Sequence, residues 1–191
     1  MLPKFPPGFS HPMHIGTGAF ASVYRVRQTV LERWVALKFV FEKNPHRRRE
    51  LLGEAQTQAK LHAECVPRIY DAFEWRQSVC IVMEWIRGVS LAEVLTSDLS
   101  LDDRIRMAGS LIRALAEIHA RGFAHRDLKP ENVLAAPDHG LYLVDFGFSR
   151  NIAEQHRSSV NVAKGTPAYM APELWTLGAP LGFSTVGCNI F

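Results

Sequence analysis

The sequence predicts an α+β fold in two parts, a small β-rich part followed by a mainly helical part. Between residues 13 and 86, apolar and β-branched residues form strand patterns, most clearly at 35–41 and 78–86, with one main helix between them. After residue 90, the clearest pattern is a long helix over 101–121. We therefore expect an extended lead-in over 1–12, a β-rich part over 13–86 and a mainly helical part over 87–191.

Composition and charge are those of an ordinary globular protein. The 191 residues are 47% hydrophobic and 21% charged, and a net charge of +3 does not indicate nucleic acid as a partner. Three cysteines fit neither a disulfide framework nor a zinc site. No apolar run reaches transmembrane length, and the proline-rich start is unlike a signal peptide. We expect an intracellular protein, cytoplasmic or nuclear, with no membrane span and no nucleic-acid partner.

Two glycines mark the first candidate binding element. Gly16 and Gly18 are separated by one residue, so they allow a tight turn whose backbone amides can approach a phosphate closely. The residues that follow suit a returning strand. Glycine pairs are also common in plain hairpin turns, so a hairpin turn and a phosphate-binding flap are both compatible with this stretch.

A lysine lies inside the next predicted strand. Lys38 is charged and its strand is otherwise apolar, so it needs a partner for its charge. The helix predicted over 48–62 offers two carboxylates, Glu50 and Glu54. We prefer Glu54, because Leu61 follows it at helical spacing and a helix could turn both residues inward. Glu50 remains the alternative.

The strand at 78–86 ends in a turn at Arg87 and Gly88. We expect a linker there between the two parts of the chain, and a cleft beside Met83 and the residues up to Ile86.

Two helices follow this turn. Ser90 is a helix-capping residue and predicts a short helix over 91–96. The long helix over 101–121 has two aspartates in its first turn and Gly122 just past its end. Its apolar stripe predicts burial in a core.

The polar loop at residues 125–132 is the strongest candidate for chemistry. It supplies a carboxylate at Asp127, a cation at Lys129 and an amide at Asn132. The proline at 130 and the apolar runs on either side would hold these groups in fixed relation. Taken alone, the loop is also compatible with a charged surface turn.

A hairpin follows the loop. The apolar runs at 133–135 and 141–144 flank a turn, and Asp145 leaves the second run directly before Phe146 and Gly147. A carboxylate at this position can bind a hard cation such as Mg²⁺ through oxygen.

Together these stretches resemble the eukaryotic-type protein kinase family over residues 15–175, and specifically its serine/threonine branch. Each motif is weak alone, but all of them occur in the family's order. They are the Gly16–Gly18 loop, Val-Ala-Leu-Lys38, His-Arg-Asp127 with Asn132, Asp145-Phe146-Gly147, and Gly165-Thr166-Pro167 leading to Ala171-Pro172-Glu173. The resemblance implies a two-lobed kinase fold, with an N-lobe and hinge over 13–86 and a partial C-lobe over 87–191.

The resemblance also implies the chemistry. Asp127 would accept or orient the proton of a substrate hydroxyl, and Lys129 would stabilise the transferring phosphoryl group. Lys38 would hold the ATP phosphates and pair with Glu54. The residues implied to contact ATP are Ile15, Gly16, Gly18, Phe20, Val23, Ala36, Lys38, Met83, Glu84, Ile86 and Leu134.

The implied cofactors are ATP and Mg²⁺, with Mn²⁺ as an alternative metal. Asn132 and Asp145 would hold the metal. The implied partners are a protein substrate carrying serine or threonine and an upstream kinase acting on the activation segment. The candidate acceptors in that segment are Ser149, Ser158 and Ser159.

Three departures from the family pattern are visible. Ala21 stands at the third glycine position, and Gln58 stands where the family has an apolar residue facing the core. After Glu173 only residues 174–191 remain, with Gly182 where the family has an aspartate that braces the catalytic loop. Two hypotheses follow: a serine/threonine protein kinase with an incomplete C-lobe, or a catalytically weak or inactive fragment that binds nucleotide or acts as a regulatory module.

Overall fold

The computed structural model describes residues 4–18, 21–137, 140–145, 150–151 and 166–169. It divides the chain into two compact units, one of residues 1–60 with 67–86 and one of residues 61–66 with 87–191. The described part confirms the predicted α+β class, with a β-rich first unit. Several predicted positions lie outside the described residues, namely Phe20, Phe146, Gly147, Ser149, Ser158, Ser159, 171–173 and Gly182.

The first unit is built on a five-stranded antiparallel sheet of order β1-β2-β3-β5-β4. Its strands are β1 (Phe9–Thr17), β2 (Ala21–Gln28), β3 (Arg33–Phe41), β4 (Ile69–Trp75) and β5 (Ser78–Glu84). One face forms the core, which consists of Tyr24, Val26, Val35, Leu37, Phe39, Cys80 and Val82. The alternation of side chains along each strand therefore leaves the other face for polar and functional residues.

The start of the chain is anchored more firmly than an extended lead-in would be. Strand β1 begins at Phe9, and the Phe5 ring packs edge-on against Tyr24 and Phe39 at centroid distances of 5.1 and 5.3 Å. The indole of Trp75 donates a hydrogen bond of 2.8 Å to the backbone oxygen of Lys4. The aromatic residues between the prolines give the segment apolar surface to bury, which the proline count alone did not reveal.

The helix of the first unit, α1 (Pro45–Ala59), begins three residues before its predicted start. Asn44 caps it, because its side chain accepts a hydrogen bond of 2.9 Å from the backbone amide of His46, and proline fits the first helical position. The helix ends before Leu61, which is buried in the core of the second unit. The predicted helix face shared by Glu54 and Leu61 is therefore wrong.

Among its described residues, the second unit contains two α-helices and two small sheets. The helices are α2 (Leu91–Val94) and α3 (Leu101–Ala120), and the strands are β6 (Val89–Ser90), β7 (Phe123–Ala124), β8 (Val133–Ala136), β9 (Gly140–Leu143) and β10 (Arg150–Asn151). The predicted hairpin is present, as β8 and β9 pair antiparallel. Strand β6 pairs with β8 and requires Gly88 before it, since a Cβ there would lie 2.6 Å from the carbonyl oxygen of Ala135.

The long helix α3 begins at the predicted residue and ends one residue before its predicted end, with Gly122 beyond it as expected. Ser100 caps its start by accepting a hydrogen bond of 3.1 Å from the Asp103 amide, and Gly122 follows its end with φ of 76°. Its second half supplies Ala114, Leu115 and Ile118 to the core. The apolar stripe is only partly buried, however, because Leu101, Ile105 and Ile112 are 71%, 60% and 53% exposed. Among the described helices, none is long and apolar enough to cross a membrane.

Candidate active site

The polar loop between β7 and β8 holds a buried carboxylate. Asp127 is 7% exposed, and both of its carboxylate oxygens have partners. Oδ1 accepts hydrogen bonds from the Thr166 backbone amide at 2.8 Å and from the Thr166 hydroxyl at 2.7 Å. Oδ2 accepts one from the Asn132 side-chain amide at 3.1 Å. These bonds fix the orientation of the carboxylate, as a base needs if it is to meet a substrate at a defined angle.

Lys129 lies beside the same carboxylate. Its Nζ is 3.4 Å from Asp127 Oδ2 and donates a hydrogen bond of 2.9 Å to the Thr166 hydroxyl. The Thr166 hydroxyl thus accepts from the lysine and donates to the aspartate. Lysine, threonine and aspartate form a short chain in which each polar group orients the next.

Asn132 ends the 3₁₀ turn Pro130–Asn132 and is 6% exposed. Its Nδ2 donates to the backbone oxygen of Asp127 at 2.8 Å as well as to the carboxylate. Both contacts use the nitrogen of the side-chain amide, so its oxygen, Oδ1, is the atom that can bind a cation.

The His125 side chain contacts both the polar loop and the residue after β9. Its Nε2 is 2.9 Å from the backbone oxygen of Val144, and its Nδ1 accepts a hydrogen bond of 3.4 Å from the Asp127 amide. This pairing assigns the proton to Nε2. Burial lowers the pKa of His125 below its ordinary value, partly offset by the Val144 carbonyl, so the imidazole is held neutral and can accept from Asp127.

The two predicted metal ligands lie at the same end of the β8–β9 hairpin. Asn132 directly precedes β8, Asp145 follows β9 by two residues, and the Val144 amide donates a hydrogen bond of 2.9 Å to the Asn132 backbone oxygen. Asp145 has φ of 62°, and Arg126 next to Asp127 has φ of 68°, which are strained values for residues with a side chain. Oxygen ligands of this kind fit Mg²⁺.

Other metal-binding chemistry finds no support in the described ranges. No group of three or more histidine, cysteine, aspartate or glutamate side chains clusters there. Burial raises the pKa of both Cys65 and Cys80 to about 12, so these thiols stay protonated and are not nucleophiles.

In the first unit, the strand register gathers four predicted nucleotide contacts on one face of the sheet. Val23 pairs with Lys38 between β2 and β3, and Ala36 pairs with Met83 between β3 and β5. Residues directly opposite each other in antiparallel strands share a face, and alternation puts Ala36 and Lys38 on the same side. This is the face opposite the core, so the sequence spacing and the register agree.

The remaining predicted nucleotide contacts lie in the same unit, apart from Leu134 on β8. Ile15 is 43% exposed near the end of β1, and the Gly18 amide donates a hydrogen bond of 2.8 Å to the backbone oxygen of Ala21, the first residue of β2. Glu84 ends β5, and its amide donates to the backbone oxygen of Arg68 at 2.8 Å. That amide is therefore already used, and Ile86 follows two residues later in the linker.

Glu54 takes part in an ion-pair network on α1. Its Oε1 is 3.6 Å from Nη1 of Arg47, and the same nitrogen is 2.5 Å from Oε2 of Glu50. Arg47, Glu50 and Glu54 thus share one face of the helix. The pairing of Lys38 with Glu54 or Glu50 stays a prediction.

Gln58, expected to face the core, is half-buried.

Thr166 contacts both Asp127 and Lys129, and the sequence did not predict it as a site residue. It was noted only as part of the Gly165-Thr166-Pro167 motif, without a role. It lies 39 positions after Asp127 in sequence, and nothing in its local pattern indicates contact with the loop.

Comparison with known proteins gives the same family for most of the chain. Residues 9–183 match the protein kinase domain family. The chain is 34% identical over 164 residues to serine/threonine-protein kinase 36 of Pongo abelii, a match that covers 84% of this chain and 12% of that protein.

Plant and bacterial relatives are equally similar. Serine/threonine-protein kinase TIO of Arabidopsis thaliana is 34% identical over 167 residues, covering 84% of this chain and 12% of the relative. Serine/threonine-protein kinase PknE of Mycobacterium bovis is 35% identical over 164 residues, covering 83% and 29%. The chain thus spans less than a third of the length of these relatives.

Proposed function

Because this chain belongs to the protein kinase family, and to its serine/threonine branch, we propose that it transfers the γ-phosphoryl group of ATP to a serine or threonine hydroxyl of a protein. The observation that carries the proposal is the buried Asp127 carboxylate, held by Thr166 and Asn132 with Lys129 beside it. A charged surface turn would not need a carboxylate whose two oxygens are both held in place.

Asp127 acts on the substrate hydroxyl. Its carboxylate accepts the hydrogen bond of the hydroxyl and orients the oxygen towards the γ-phosphorus. It takes the proton as the new O–P bond forms and the bond from the γ-phosphorus to the bridging oxygen breaks, which releases ADP. The two bonds from Thr166 to Oδ1 hold the carboxylate in one orientation while this happens. The ordering is built into the fold, so little of it has to be achieved at each turnover.

Lys129 supplies positive charge next to this base. Its Nζ, 3.4 Å from Asp127 Oδ2 and bonded to the Thr166 hydroxyl, is a fixed cation at the point where the phosphoryl group arrives. A cation placed in advance stabilises the charge on the transferring oxygens without having to reorganise.

The metal ligands are Asn132, through Oδ1, and Asp145, through its carboxylate. Mg²⁺, or Mn²⁺ in its place, neutralises phosphate charge when bound. The Val144–Asn132 backbone bond fixes the two ligands at the same hairpin end, so this part of the chain is built before the metal arrives.

The first unit contributes all of the proposed nucleotide contacts except Leu134. Lys38 holds the phosphates, and the apolar side chains of Val23, Ala36 and Met83 on the same sheet face bind the base. The linker backbone at Glu84 and Ile86 provides polar contacts to adenine. The proposal includes an upstream kinase that phosphorylates the segment after Asp145. An arginine directly before the catalytic aspartate, here Arg126, resembles the pattern of kinases regulated by phosphorylation of this segment.

The proposal is tested by measuring ATP binding and phosphate transfer on the same preparations. Wild type and Lys38→Met are assayed for radiolabelled phosphate transfer to a generic basic protein, and their thermal shift with ATP and Mg²⁺ is recorded. We expect transfer by wild type and its loss in Lys38→Met, with the label on serine or threonine. If wild type binds ATP with Mg²⁺ but transfers no more than Lys38→Met, the chain is a nucleotide-binding regulatory module instead.

A further inference from the structure

An arginine stacked between two tryptophans stands out in the first unit. The Arg25 guanidinium carbon lies 4.3 Å from the ring centre of Trp34 and 5.0 Å from that of Trp85. Its Nε is buried, and no residue in the described ranges forms a hydrogen bond to it. The guanidinium is therefore held largely by the faces of the two indole rings, an arrangement that suits its planar, weakly hydrated cation.

The stack continues the face that carries the nucleotide contacts. Arg25 is directly opposite Ala36 in the β2–β3 ladder and lies two residues beyond Val23 on the same strand. Trp34 lies two residues before Ala36 on β3. Side chains at these positions share one face of the sheet, so Arg25 and Trp34 adjoin the apolar surface proposed to bind the base.

The second ring belongs to the linker itself. Trp85 is the residue between Glu84 and Ile86, whose backbone groups are proposed to contact adenine. It follows the end of β5, where the ladder no longer fixes the chain. The stacking contact with Arg25 therefore connects this linker residue to β2.

We propose that Arg25 is a positioning residue for the purine base. By stacking on Trp85, it holds the backbone of residues 84–86 against β2 and β3, so the groups that meet adenine are ordered before the nucleotide binds. The inference rests on the proposed binding of ATP. It assigns Arg25 to the base, although a cationic side chain could also be expected to bind the anionic phosphates.

The test compares the affinities of ATP with Mg²⁺ and of adenosine, measured by calorimetric titration of the full chain. Arg25→Met should weaken both ligands by the same factor, about 3- to 10-fold, because the loss concerns the base alone. Arg25→Lys should fall between Met and wild type, because it keeps the charge and loses the planar stack. In turnover assays of Arg25→Met, the KM for ATP should rise, whereas kcat should stay within about twofold of the wild-type value.

Arg27→Met is the matched control. Arg27 is on the same strand, two residues further on, and its side chain is 41% exposed and 3.8 Å from Glu32. Its removal changes the net charge by the same amount as Arg25→Met but leaves the Arg25 stack intact. The affinities for ATP and adenosine should therefore stay at the wild-type level. Trp85→Leu provides a second route to the same loss, and combining it with Arg25→Met should cost no more than either change alone.

Each remaining result overturns the inference in a recognisable way. Equal affinities in wild type and Arg25→Met, at matched melting temperatures, would show that the stack does not position the base. A loss confined to ATP would assign Arg25 to the phosphates, and an equal loss in Arg27→Met would indicate a general charge effect. If wild type binds neither ATP nor adenosine, the proposed function fails and this inference fails with it.

Discussion

Thr166 donates two hydrogen bonds to one oxygen of the Asp127 carboxylate, at 2.8 Å from its backbone amide and at 2.7 Å from its hydroxyl. The same hydroxyl accepts from Lys129 at 2.9 Å. The proposed base and the proposed phosphate-stabilising cation are therefore connected through a third residue, which belongs to a distant segment of the chain.

Replacing Thr166 tests this connection. Thr166→Val keeps the shape and the backbone bond but removes the hydroxyl, so Asp127 and Lys129 lose their shared partner. We expect kcat to fall about 10- to 100-fold, less than the loss of the base itself, because Asp127 keeps its carboxylate and the backbone bond; the KM for ATP should change little. Thr166→Ser, the matched control, retains the hydroxyl and should keep most of the rate. Equal rates in Val and Ser variants would contradict the role given to the hydroxyl.

Asn132 is expected to control the metal requirement. Asn132→Ala removes Oδ1, so the Mg²⁺ concentration for half-maximal transfer should rise by at least about 10-fold, the loss typical of even an outer-shell partner. Asn132→Asp keeps oxygen ligands but loses the amide donor to Asp127, so its Mg²⁺ requirement should change less while kcat falls. Mg²⁺ titrations of transfer rate measure both. An unchanged requirement in Asn132→Ala would remove Asn132 from the metal site.

Acid should destabilise the fold through His125. Burial lowers the pKa of His125 in the folded chain, so below about pH 6.5 the unfolded chain takes up the proton first. The free energy of unfolding is therefore unaffected above that pH and falls as the pH drops towards the folded pKa. Urea unfolding across this range measures the loss.

His125→Phe removes this titrating ring and should reduce the acid-induced loss. Some loss should remain, because burial also lowers the pKa of His119. The comparison uses the change with pH and not the absolute stability, since the variant also loses the hydrogen bonds to Asp127 and Val144. An acid-induced loss as large as in wild type would show that His125 is not its source.

Gly88 is expected to be intolerant of a side chain. A Cβ there would lie 2.6 Å from the Ala135 carbonyl oxygen, so Gly88→Ala must push β6 away from β8. We expect the free energy of unfolding to fall by about 1–3 kcal/mol. Gly53→Ala is the control: nothing lies within 4 Å of its Cβ position, and alanine inside α1 should raise stability by about 0.5–1 kcal/mol. Chemical denaturation measures the free energy of unfolding of both variants, and equal changes in the two would contradict the steric role given to Gly88.

Local signals explain which parts of this structure could be predicted. Helix α3 could be predicted because a continuous periodic pattern runs along it and Gly122 marks its end. Asp127 and Asn132 could be predicted as site residues because they lie within six residues of each other in one polar loop. Contacts between distant segments were not readable. Thr166 reaches Asp127 from 39 positions away, and the Arg25 stack depends on strand register, which side-chain alternation alone does not fix.

The measurement that bears most directly on the account is the rate of phosphate transfer by Asp127→Asn. Asparagine keeps the size of the side chain, and its oxygen can still accept from Thr166. It cannot take a proton, and its amide nitrogen cannot accept from Asn132 as Oδ2 does. We expect kcat to fall by about 100-fold or more while the chain stays folded and its affinity for ATP and Mg²⁺ stays close to wild type. Transfer by Asp127→Asn at the wild-type rate would contradict the assignment of Asp127 as the catalytic base.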